Sequence, residues 1–238
     1  MTPTSTRSRR DLCPGVLRPW PADDGALVRV RLVGGRVAAD ALAGLAAVAA
    51  AYGDGRLHLT GRANLQLRAL PWGDPSSATS GALPEEVVAA IEATGLLPSR
   101  SHELGRNVMV SPFSGLAGGR TDLRPVADEL DRHLRSDPAL ADLAHRFLAT
   151  RGDGPTAPWH VEELDTPLVE PGVRDPRVPA PGARAAYGPQ PGGDHVAVPD
   201  CVLDRDLLDR LVAPGRELVV TPWHGVVVPD PTGTEVAS

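Results

Sequence analysis

Two stretches far apart in the chain carry one pattern. LHLTGRANLQL, from Leu57 to Leu67, superposes without a gap on LVVTPWHGVVV, from Leu218 to Val228. Leu57 falls on Leu218, Thr60 on Thr221, Leu65 on Val226 and Leu67 on Val228. Each stretch closes a block with the order strand, helix, strand, strand. A repeated unit restricts the fold more than composition does, because one small three-stranded copy is marginal and leaves an apolar edge and face for its twin to cover. The expected fold is α+β, with the two blocks side by side as one pseudo-symmetric sheet and residues 152–193 passing outside it. Chance similarity between two short β-α-β-β units is the plain alternative.

Within the first block, Ala26–Leu32 (ALVRVRL) alternates like a half-buried strand. The run VAADALAGLAAVAAAYG then has the Ala and Leu content of a helix over 38–51, with Gly53 at C′. It is apolar nearly all round and should press against a sheet. From Leu57 to Arg68 the parity is unbroken, which is long for one strand. Two short strands with a corner near Gly61–Asn64 are expected. Leu57, Leu59, Ala63, Leu65 and Leu67 should be buried, and Thr60, Arg62, Asn64, Gln66 and Arg68 should share the other face. The second block reads as a strand at His195–Val198, a helix at Asp204–Ala213 capped by Asp204, and strands at Glu217–Thr221 and Val226–Val228.

Between the blocks, residues 71–83 have linker composition, and Pro84 opens a short helix at N1 that Gly95 ends. Arg106–Val110 reads as a strand. Asp122 is placed to cap a helix over 123–135, Asp137-Pro138 to start another reaching Ala144, and Arg146–Thr150 to form a further strand. From Gly152 to Gly193 the chain is rich in Pro and Gly, with little periodicity beyond Trp159–Leu164, and reads as a linker. Residues 1–14 read as a disordered arm.

Composition excludes several roles. With 42% apolar residues the chain can build a core, and a net charge of −6 argues against nucleic acid as a partner. No window is long and apolar enough to span a membrane, and no apolar stretch follows the basic N-terminus, so no membrane partner and a cytoplasmic location are expected. All 24 basic residues are Arg, so any side-chain cation offered to a ligand is Arg or His. The only cysteines are Cys13 and Cys201, too few for a four-thiolate iron–sulfur cluster or a Cys-rich zinc site, and a disulfide between them is not expected in the cytosol. The seven histidines show no metal-ligand spacing, and there is no phosphate-binding glycine loop, nucleophile elbow or triad pattern. No metal is assigned.

The stretches CPGVLRPWPADDGALVRVRL, YGDGRLHLTGRANLQLRAL, LLPSRSHELGRNVMVSPFSG and LVVTPWHGVVVPD together resemble the precorrin-3B synthase family of the sirohaem-dependent nitrite/sulfite reductase superfamily. The T-x-R-x-N-x-Q-L and R-N-V-x-x-S-P lines are the distinctive ones. The resemblance covers residues 11–150 and 194–230. It implies a first ferredoxin-like half-domain at 15–72, a shortened nitrite/sulfite reductase-type α/β domain at 84–165, a Pro/Gly-rich linker at 166–189 and a second half-domain at 190–230. In the family the cysteines of a 4Fe-4S cluster follow the T-P-W-x-G-V-V line, whereas this sequence reaches Ser238 soon after it. The expectation is a truncated member that holds no cofactor by itself.

The resemblance implies O2-dependent hydroxylation and lactone formation on precorrin-3A, in aerobic cobalamin biosynthesis. The ligand would be an anionic tetrapyrrole, and a separate polypeptide carrying the cluster domain would be a partner. Three other readings stand beside it: a cluster-free tetrapyrrole-binding or scaffold protein, a fragment of a sirohaem-dependent nitrite/sulfite reductase, and a decayed fragment. HRFLATRG stands where the reductases carry two lysines, which disfavours oxyanion reduction.

By the resemblance Arg62 and Arg106 face the tetrapyrrole, while Asn64 and Gln66 share the face of Arg62 and can hydrogen-bond the macrocycle periphery. Arginine suits such a ligand, since its planar fork binds carboxylates bidentately and stays charged. From spacing alone, Arg62 is equally a surface arginine, Arg106 a strand-edge ion pair, and Asn64 and Gln66 solvated residues. Arg29, at the other end of the half-domain's pattern, is expected to stand apart. His58 reads as solvated, His224 as a turn residue and Trp223 as a packing anchor.

Overall fold

The alternating apolar residues of both blocks are buried where the pattern places them, but the sheets they form are not the ones expected. The computed structural model describes residues 13–74, 81–116, 122–141, 147–151, 159–163, 185–213 and 215–230. The first block comprises β1 (Trp20–Ala22), β2 (Gly25–Val30), β3 (Arg36–Ala38), α1 (Ala39–Tyr52), β4 (Leu57–Leu59) and β5 (Leu65–Leu70). A middle region follows with α2 (Glu85–Ala93), β6 (Val108–Val110), α3 (Arg124–Ser136), β7 (Phe147–Arg151) and β8 (Trp159–Glu163). The second block comprises β9 (Gly188–Gln190), β10 (Gly193–Ala197), β11 (Val202–Leu203), α4 (Arg205–Leu211), β12 (Glu217–Val220) and β13 (Gly225–Pro229).

The expectation of one shared sheet is corrected. There are two five-stranded sheets, in the orders β1-β2-β5-β4-β11 and β3-β12-β13-β10-β9, and each takes a short strand from the other block. Leu203 of β11 lies opposite Leu57 of β4, and Val37 of β3 lies opposite Leu218 of β12. The exchange is symmetric because the backbone turns the same way before both exported strands. Gly34 and Gly35 have φ of 64° and 74°, and Asp200 and Cys201, the matching pair, have 51° and 61°. The exchange joins the blocks through a single core, in which Leu42, Leu57 and Leu65 pack with Leu208, Leu218 and Val226. Burial of that apolar area is the main term holding the halves together.

The two hairpin corners are also copies. Thr60 N–H donates to the Asn64 carbonyl at 3.0 Å, and Asn64 N–H donates to Thr60 Oγ1 at 3.2 Å. In the second block Thr221 N–H donates to the Gly225 carbonyl at 2.9 Å, and Gly225 N–H donates to Thr221 Oγ1 at 3.2 Å. The residue before the last corner position is left-handed in both, Ala63 at 54° and His224 at 61°.

The sequence places the helices well and their ends less well. Asp204 caps α4 through Leu207 N–H at 2.8 Å, as its position implies. Gly53 is the C-cap of α1 with an extended φ of −125°, not a left-handed C′ residue. Pro84 is the N-cap of α2 and not its first helical residue. Leu123 is the N-cap of α3, and Asp122 instead accepts the Arg124 N–H at 3.0 Å and pairs with its guanidinium. Asp137 starts only a short 3-10 turn, Pro138–Leu140. Residues 1–12 of the expected arm, residues 75–80 of the linker, the end of the helix expected near Ala144 and most of 152–184 lie outside the described residues.

The middle region contributes a three-stranded sheet in which β6 and β7 are parallel and β7 and β8 antiparallel. Val108, Val110, Leu123 and Ala127 form its small core, against Val33 of the first block. Among the described residues no helix is long and apolar enough to cross a membrane.

Candidate functional site

Residue parity along β2 sends Val28 and Val30 into the core and Arg29 and Arg31 to the opposite face. On that outer face Arg29 lies opposite Gln66, Gln66 opposite His58, and His58 opposite Val202. A polar row therefore crosses three strands and ends against Val202 on the fourth. His58 is tied to Asp54 at 2.7 Å at the far end of the row.

The row runs toward a small cavity lined by Val16, Arg29, Arg31, Leu97, Glu103 and Arg106, among others. Three arginines and one carboxylate thus line one cavity. That carboxylate is already engaged: Glu103 accepts the backbone N–H groups of Val16 at 2.7 Å and Leu17 at 2.9 Å, fastening residues 13–17 beside the cavity. Arg31 donates to the Pro14 carbonyl at 3.3 Å and helps hold the same segment. Burial raises the Glu103 carboxyl above its ordinary range, while the two N–H groups and the charges of Arg31 and Arg18 oppose the rise.

Arg29, like Arg36, buries its Nε without an acceptor among the described residues. Burial lowers its pKa; Cys13 nearby opposes this, and the Arg62 charge adds to it. The structure therefore brings Arg29 and Arg62 within electrostatic reach, which corrects the expectation that Arg29 stands apart. Arg62 itself, half-buried in the corner, makes no hydrogen bond or ion pair with a described residue.

The other candidates divide. Gln66 is half-buried beside Arg29, on the face the sequence gives it. Asn64 is not on that face: it is 1% exposed, with Oδ1 accepting Leu32 N–H at 2.9 Å and Nδ2 donating to Asn107 Oδ1 at 3.0 Å. The left-handed Ala63 breaks the parity just before it and turns the amide inward. Arg106 lines the cavity but precedes β6 instead of lying in it. Its Nε donates to Asp131 at 2.5 Å in a buried ion pair.

Arg29, Arg31, Glu103 and Asp131 were missed as site residues. The alternation in ALVRVRL puts both β2 arginines on one face, but only the register with Gln66 brings Arg29 to the corner. Nothing local marks Glu103 or Asp131. Among the described residues no three His, Cys, Asp or Glu side chains gather as a metal site. Cys13 and Cys201 are not joined to each other by a disulfide.

The equivalent row of the second block runs His195, Val227, Val219, Arg36. Phe113 and Leu116 pack on Val219 and Val227 and close that face. His195 is fully buried, edge-on to Trp223 and Phe113, with Nε2 3.1 Å from Thr221 Oγ1. The two matching faces thus differ: the first is polar and half-buried, the second is packed.

A family profile described as the nitrite/sulfite reductase ferredoxin-like half domain matches residues 21–74. The chain is 30% identical over 128 residues to a precorrin-3B synthase from Sinorhizobium sp, an alignment covering 53% of this chain and 25% of that protein. It superposes on the NirA protein of Mycobacterium tuberculosis with a TM-score of 0.59 and 15% identity, over 86% of this chain and 54% of NirA. The chain spans about a quarter of the length of the curated relative and about half that of NirA. At 15% identity the likeness to NirA concerns the fold alone.

Proposed function

We propose that this chain, whose residues 21–74 match the nitrite/sulfite reductase ferredoxin-like half domain, binds a polycarboxylated tetrapyrrole of the precorrin class on the arginine face of that region. The observation that carries the reading is Arg29, whose buried Nε lacks an acceptor and whose charge is raised in energy by burial and by Arg62. A buried donor without an acceptor is costly, and an incoming carboxylate supplies both the acceptor and the countercharge. Arg62 and Gln66 stand beside it to take further peripheral groups, and Arg106 faces the same cavity as Arg29. Arginine can hold each carboxylate through two parallel N–H donors.

The chain's part in this reading is to bind and orient. The fuller activity, O2-dependent hydroxylation and lactone formation on precorrin-3A, is proposed from the family resemblance and supported by likeness to a quarter of a precorrin-3B synthase. A 4Fe-4S cluster does not fit the residues present, since Cys13 and Cys201 are the only thiols and cubane ligation needs four. A cluster would need thiolates beyond the two of this sequence. The test is an absorption titration with uroporphyrin and with its fully esterified form. Saturable binding of the free acid and none of the ester is expected. Equal binding of both would contradict an arginine–carboxylate site.

A further inference from the structure

We propose that Asp131 is a positioning residue, fixing the direction in which Arg106 offers its guanidinium to the cavity; this rests on the reading of that cavity as the ligand site. Asp131 lies on α3, one element away from the loop that carries Arg106, and is 6% exposed. One carboxylate oxygen, Oδ1, takes the Arg106 Nε–H at 2.5 Å. The other, Oδ2, takes the Nε–H of Arg135, one helical turn on, at 2.8 Å. Each oxygen therefore has its own cation, and the carboxylate cannot rotate without breaking one of the two contacts.

The geometry on the Arg106 side is equally specific. Only its Nε is committed to Asp131, and the residue also lines the cavity with Arg29 and Glu103. A guanidinium held by Nε keeps its two terminal nitrogens, the pair that meets a carboxylate side by side, for a ligand. The next residue, Asn107, is held by Asn64 from the hairpin corner at 3.0 Å. Arg106 is thus fixed at its backbone by the first block and at its side chain by α3. Asp128, one turn earlier on α3, pairs instead with a terminal nitrogen, Nη2, of Arg36 of the first block; of these two acid–arginine contacts only that of Asp131 holds a cavity-lining arginine.

Two readouts test this. Without any ligand, the 15Nε–H correlation of Arg106, assigned by its loss in Arg106→Lys, should be sharp and protected in the wild type. It should broaden or vanish in Asp131→Asn while the backbone spectrum of the half domain is retained. Arg135→Ala, which leaves the Arg106 contact intact, should weaken the signal less and guards against a folding defect in Asp131→Asn. With uroporphyrin as the probe, Asp131→Asn should weaken binding about tenfold in the wild-type background and not further in Arg106→Ala. An Arg106 signal unchanged in Asp131→Asn would overturn the proposal whatever the ligand result. Equal losses in both backgrounds, or tighter binding, would overturn it too, the latter by making Asp131 a competing counter-ion. Absence of any uroporphyrin binding by the wild type would instead fall on the function proposed above and leave the resonance to decide the role of Asp131.

Discussion

The outer rows of the two halves occupy matching registers and have opposite characters. Arg29, Gln66, His58 and Val202 cross one sheet; His195, Val227, Val219 and Arg36 cross the other at the same addresses. The first row borders a cavity rich in arginine, whereas the second is sealed by Phe113 and Leu116. The backbone repeat therefore sets where side chains stand, and their identity decides whether a face packs or binds. On the function proposed above, the duplicated fold offers one ligand face, not two.

The largest test of this comparison lies in the shared core. Leu57 and Leu218 are equivalent, nearly fully buried, and each sits on a strand paired with one from the other block. Leu57→Ala and Leu218→Ala should each cost about 2–5 kcal/mol of unfolding free energy. Because the exchange makes one core, each should lower a single cooperative transition seen by circular dichroism in urea. Two separate transitions, only one of them moved by each variant, would break the comparison at its base.

A smaller effect concerns the segment beside the open face. The Glu103 carboxyl is raised above its ordinary 4.5 by burial. A carboxyl that holds its proton more tightly when folded contributes stability below its unfolded pKa, and that contribution is lost as pH rises through the folded value. The stability of the wild type relative to Glu103→Gln should therefore fall as pH rises from about 4 to 7. Carboxylates shifted downward, such as Asp122 beside Arg124, are common to both proteins and drop out of the difference. A difference that grows with pH would mean that the Val16 and Leu17 N–H groups outweigh burial.

The smallest effect tests the repeat at its turns. Gly35 is left-handed, and a Cβ there would run into the Val220 carbonyl, so Gly35→Ala should destabilise. The matching residue in the second half is Cys201, which carries a side chain at φ 61°. Cys201→Gly should relieve that strain and stabilise by about 0.5–1 kcal/mol, read as a higher urea midpoint. A lower midpoint would show that packing of the thiol outweighs the backbone conformation.

The legible parts of the fold were those with a local cause. Ala and Leu content marked α1, Asp204 marked the start of α4, and the parity from Leu57 to Arg68 marked two strands and their corner. The exchanged strands were not legible, because β3 and β11 are three and two residues long and pair with segments remote in sequence. In the candidate site, Arg62 and Gln66 followed from parity. Asn64 did not, because one left-handed residue, Ala63, turns its amide from the face into the interior. Arg29 was misjudged for a different reason: its distance from the corner is set by the β2–β5 register, which contains a bulge and has no signature in either strand alone.

The most direct measurement of the central claim compares equivalent positions across the repeat: the uroporphyrin affinity of Arg29→Ala against that of His195→Gln. A charge-assisted contact contributes about 1.5–3 kcal/mol, so Arg29→Ala, like Arg62→Ala, should weaken binding roughly 10- to 150-fold. His195→Gln, in the packed half, should lower thermal stability and leave affinity within about twofold. If Arg29→Ala binds like the wild type, or if both variants lose affinity equally, the arginine face of the first half is not the ligand site.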